Sequence, residues 1–113
     1  MSLEIYLNDN TCAHCGRGDE VYAANITHNL GEMAAVAGIY GVLWRPDETG
    51  IQNAGQMIIH LERAIDEMEA NPKKFKKYNA RNGWGLYENF VPWLKTLLNA
   101  CRMHPEASVR VSR

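Results

Sequence analysis

Alternation governs the two ends of the chain, and helical spacing governs its middle. Leu3, Ile5 and Leu7 alternate with Glu4 and Tyr6, the period of two expected of a strand with one buried face. Turn formers crowd the stretch from Asn8 to Asp19, so the chain reverses there and Glu20 to Ile26 reads as the returning strand. After Pro105, the residues Ala107, Val109 and Val111 alternate with Ser108, Arg110 and Ser112, which predicts a closing strand.

Between these ends the spacing changes. Thr27 is placed to cap a helix from His28, in which Leu30, Met33, Ala34 and Ala37 recur at helical intervals until Gly38 stops it. Ile39 to Trp44 is apolar with no consistent period and, with the turn formers Arg45 to Glu48, reads as a loop. The strongest signal predicts a helix over about 50–70: Thr49 and Gln52 resemble a capping box ahead of Ala54, Met57, Ile58, Leu61, Ala64, Ile65 and Met68.

Asn71 and Pro72 open a short third helix, where Phe75 and Tyr78 share a face beside Lys73, Lys74, Lys76 and Lys77. From Trp84 a last helix turns Leu86, Phe90, Trp93, Leu94, Leu97, Leu98 and Cys101 inward. Pro92 interrupts its ladder, which predicts a bend or a start nearer Phe90. The fold class this implies is α+β: a small antiparallel sheet, the N-terminal hairpin plus the C-terminal strand, covered on one face by three to four helices.

A length of 113 residues accommodates one core, so 1–113 is read as a single domain. With 46% apolar and 22% charged residues, the chain is too hydrophobic for the disordered class. No apolar run approaches the length of a membrane span, and the first ten residues lack the features of a signal peptide, so a cytoplasmic location is expected. The formal net charge of -1 gives no overall attraction to nucleic acid. Charge is uneven, however: positions 1–55 hold seven acids and two bases, and 56–113 hold six acids and ten bases.

Four groups of residues carry candidate chemistry. Cys12 and Cys15, followed by Gly16, have the spacing of a zinc knuckle, and Cys101 with His104, three apart at a helix end, supply the other half of a tetrahedral structural site. His14 and His28 are substitutes, and the alternative makes Cys101 a core residue and His104 a helix-end cation. Asn25, Thr27, His28 and Asn29 gather polar side chains at a strand-to-helix junction, a place for a small anionic ligand unless they only cap the turn.

His28, oriented by Glu32, is also the one candidate general base, for a small hydrolase or transferase. Trp84, set between Gly83 and Gly85, can stack on a ligand with Tyr87 and Tyr40 beside it, or can plug the core. Lys73 to Lys77 form either a phosphate-binding patch or a solvated face.

Three stretches carry a resemblance: Asn25-Ile-Thr-His-Asn29-Leu30, then Gly38-Ile-Tyr40 with Leu43-Trp-Arg-Pro46, then Asn82-Gly-Trp-Gly85 with Tyr87. They are similar to a family of small proteins found in phage genomes and some bacteria, and the similarity extends from the Cys-x-x-Cys turn to Ser112-Arg113. No activity is assigned to that family, so the resemblance implies a source and no mechanism. The expectation is a non-enzymatic binding protein that recognises a host protein or a small anionic molecule through Asn25 to Asn29 and Trp84 to Tyr87. A zinc-stabilised adaptor and an enzyme using His28 are the alternatives, and no complete set of nucleophile, acid and base can be assembled.

Overall fold

The structure, a computed structural model, describes residues 2–9 and 18–113. Strand β1 (Ser2–Asp9) lies between β2 (Asp19–Thr27) and β3 (Ser108–Ser112), antiparallel to both. Register follows from which face each strand can bury. Ile5 stands opposite Ala24 and Val111, and Leu7 opposite Tyr22 and Val109, so the apolar sets share the face beneath the helices. Glu4, Tyr6 and Arg110 take the other face, where the Tyr6 hydroxyl donates to Glu4 and the Arg110 guanidinium lies over the Tyr6 ring.

Among the described residues five helices cover the inner face: α1 (Gly31–Val36), α2 (Tyr40–Trp44), α3 (Ile58–Ala70), α4 (Pro72–Lys76) and α5 (Tyr87–Met103). Ion pairs join Glu62 to Arg102 at 2.9 Å and Glu69 to Lys95 at 2.8 Å, so α3 and α5 run antiparallel. These pairs are exposed and contribute little; the apolar contact beneath them is what holds the helices. Leu3, Ile5, Leu7, Met33, Leu43, Leu61, Phe75 and Phe90 are fully buried in one cluster. No helix among the described residues is long and apolar enough to cross a membrane.

Three boundaries differ from those the sequence predicts. The apolar stretch read as a loop contains α2, because Ile39, Val42, Leu43 and Trp44 are all buried and helical spacing vanishes when nearly a whole turn faces the core. The capping box is formed by Asn53 and Gln56, whose side chains accept each other's amides at 3.1 Å, ahead of a 3-10 turn (Ala54–Met57) that leads into α3. Thr49 instead donates its hydroxyl to the Arg45 carbonyl at 3.1 Å, closing the end of α2. Finally, α5 starts at Tyr87, because Gly85 at φ 128° cannot be helical, and the helix continues through Pro92.

The outer edge of β3 is joined by the segment before α3: the Ala54 amide donates to Ala107 at 2.8 Å, and Val109 donates to Gln52 at 3.2 Å. At the outer edge of β2, the indole of Trp93 on α5 donates from Nε1 to the Asn25 carbonyl at 2.9 Å.

Candidate functional site

Strand β2 ends where Thr27 leaves the sheet and caps a 3-10 turn (His28–Leu30), its Oγ1 accepting from the Asn29 amide at 3.2 Å. The loop before α5 folds back onto this turn. Ala80 donates to the Gly85 carbonyl at 2.9 Å, and the Trp84 amide donates to Asn82 Oδ1 at 3.0 Å. Asn29 Nδ2 then donates to the Trp84 carbonyl at 2.8 Å and ties the two segments together.

Gly85 makes that approach possible. A Cβ there would stand 3.0 Å from the Asn29 Cβ, at a backbone angle that side chains rarely adopt. The result is an open cleft of about 970 Å³ lined by Ser2, Asn25, Ile26, Thr27, His28, Asn29, Asn82 and Trp84. A second cavity of about 300 Å³ adjoins it, walled by Ile26, Leu30, Leu86 and Trp93, with Asn25 and Asn89 also on its wall. Trp84 lines both cavities, and it is 72% exposed.

Among the described residues, the lining of the larger cleft contains amides, hydroxyls, an imidazole and an indole, but no carboxylate, lysine or arginine. His28 is fixed within it. Trp44, the buried last residue of α2, donates from Nε1 to His28 Nδ1 at 2.8 Å, and Tyr40 stacks on Trp44 at 5.1 Å. An indole nitrogen only donates, so Nδ1 must be the acceptor and the ring proton sits on Nε2. Trp44, and not Glu32, is therefore the group that orients this histidine.

Asn25, Thr27, His28, Asn29 and Trp84 thus come together, although they arise from segments more than fifty residues apart. Two expected companions do not line either cavity. Tyr40 stands behind His28, in the stack on Trp44. The Tyr87 hydroxyl donates to the Met68 carbonyl at 2.8 Å and its amide to Asn79 Oδ1 at 2.8 Å, so it docks α5 on the end of α3, where carbonyls lack helical partners. The 3-10 turn offers little to an anion, since Thr27 already occupies the Asn29 amide.

The expected zinc ligands fall into two sets along the chain. Cys12 and Cys15, with the alternative His14, lie outside the described residues. Cys101 is fully buried in the core, and burial pushes its thiol up to about 12, which opposes the thiolate a metal needs. His104 ends α5 with Nδ1 3.9 Å from Asp9 Oδ2, at the end of β1. Among the described residues no three metal-binding side chains gather.

In the basic segment, Lys74 pairs with Glu67 at 3.0 Å and Lys76 lies over the Tyr87 ring at 5.6 Å. Phe75 anchors α4 in the core.

Sequence reasoning missed Trp93, Ser2 and Asn89. Spacing alone places Trp93 in the core, yet an indole N–H needs a partner, and that requirement is the available signal. Ser2 enters only through its pairing with Thr27, which periodicity does not specify. No family model matches the chain, and neither a curated protein nor a solved structure matches it.

Proposed function

We propose that this chain is a small non-enzymatic binding protein of the cytoplasm, and that its recognition surface is the cleft between the Asn25–Asn29 corner and the Trp84 loop. One observation carries the reading: the Asn29 bond to the Trp84 carbonyl pins the backbone that carries a large, exposed indole beside a row of polar side chains. An exposed tryptophan on a pinned backbone loses little freedom on binding, so its contact area goes into affinity. Because the described residues of the lining include no ionised side chain, an uncharged partner is favoured over the anionic molecule the sequence suggests. The occupied Nδ1 of His28 argues against its use as a general base.

Nuclear magnetic resonance with a library of small organic fragments tests this. Amide shifts clustering at Asn25 to Asn29 and Asn82 to Gly85 support the reading. Shifts that gather elsewhere, or nowhere, refute it.

A zinc-stabilised adaptor is the second reading, and one contact favours it: His104 reaches Asp9, three residues before Cys12 in the chain. Elemental mass spectrometry on untagged protein decides it. One zinc per chain, with a drop in thermal midpoint on chelation, is the expected result; metal-free protein with all thiols titratable excludes it.

A further inference from the structure

Resting on the reading of the cleft as a recognition site, we infer that its ligand is a neutral carbohydrate. The first argument is charge. Among the described residues no ionised side chain lines the cleft, so a phosphate or carboxylate bound there would lose water without gaining a counter-charge from them. The second is the type of polar group. Amides and hydroxyls both donate and accept, as do the hydroxyls of a sugar, so each pairs in whichever sense the ligand presents.

Several of these groups retain free capacity. Asn82 uses Oδ1 on the Trp84 amide and keeps Nδ2; Asn29 uses Nδ2 on the Trp84 carbonyl and keeps Oδ1. His28 accepts from Trp44 at Nδ1 and keeps Nε2–H as a donor. Thr27 and Asn25 stand between them along the end of β2.

The third argument is the platform. Trp84 is 72% exposed, yet its backbone is held on both sides by hydrogen bonds to Asn29 and Asn82. A sugar ring has an apolar C–H face and a polar rim. Laid on the indole, it buries that face while its rim meets the amides. A nucleobase also stacks, but the phosphates attached to it need lysine or arginine, and the described residues of the lining include neither. At about 970 Å³ the cleft exceeds one sugar ring, so a short oligosaccharide is the fitting ligand.

The test is a glycan microarray that carries neutral and acidic oligosaccharides and bacterial surface polysaccharides, probed with the whole chain and with Trp84→Ala. Binding to neutral glycans, reduced at least tenfold in the Trp84→Ala protein at unchanged thermal midpoint, is the expected result. Binding confined to sialylated or sulfated glycans, or binding that Trp84→Ala leaves intact, overturns the inference. So does an empty array. The fragment experiment separates the two levels: fragments at the cleft with an empty array refute the carbohydrate and leave a binding site, whereas fragments that ignore the cleft refute both.

Discussion

The seam between α3 and α5 and the corner where β2 meets the Trp84 loop follow opposite rules. At the seam, Leu61, Met68, Phe90, Leu94 and Leu97 are wholly buried, and charge appears only at the rim as pairs such as Glu62–Arg102. At the corner the side chains are polar but uncharged, and the largest of them, Trp84, faces solvent. The difference teaches that the residues which stabilise the fold and those of the proposed recognition site are separate. The seam is stabilised by area removed from water, and the corner is shaped by two or three directed bonds and a glycine.

Substitutions at the two places sharpen the contrast. Phe90→Ala, which empties a fully buried site, should cost about 3–5 kcal/mol by urea denaturation, the largest effect expected. Gly85→Ala should cost about 2–3 kcal/mol, because its φ of 128° suits glycine alone and the new methyl meets Asn29. Gly83→Ala, at φ 78° with open space around it, should cost only about 1–2 kcal/mol, so thermal denaturation of the pair measures what the contact with Asn29 and the wider backbone angle add together at Gly85. Equal losses would show that neither adds to the cost.

A smaller effect comes from pH. The Cys101 thiol is raised from 9.0 to about 12 by burial, so in alkali the unfolded chain ionises first. Its stabilising contribution is whole below pH 9 and lost as pH climbs toward 12, with a decline of about 1 kcal/mol per pH unit above 9 that Cys101→Ala should lack. Smallest of all, Trp84→Ala should change stability by no more than about 0.5 kcal/mol while abolishing ligand contact at the cleft. A large loss there would mean that Trp84 belongs to the core after all.

Much of the fold was legible. Strict alternation at Leu3, Ile5 and Leu7 and again at Val109 and Val111 marks the inner face of the sheet, and Leu61, Ala64, Ile65 and Met68 mark α3. Helix α2 was not legible, since complete burial erases the contrast that periodicity depends on. The corner was half legible. Asn25, Thr27, His28 and Asn29 announce themselves as a polar group, and Trp84 between glycines does too, but their meeting depends on Asn29 reaching a backbone carbonyl. Backbone acceptors leave no mark in a sequence. The same holds for Tyr87, whose hydroxyl is occupied by Met68.

The indole bond from Trp93 to Asn25 has a consequence for how the chain behaves in a crowd. Strand β2 runs nine residues along the margin of the sheet with neither proline nor lysine, and its acids, Asp19 and Glu20, sit at one end. Such a margin invites a neighbouring chain to continue the sheet and, repeated, to build fibrils. By occupying the Asn25 carbonyl and standing its ring against that margin, Trp93 removes one rung from the ladder a second chain would need to climb.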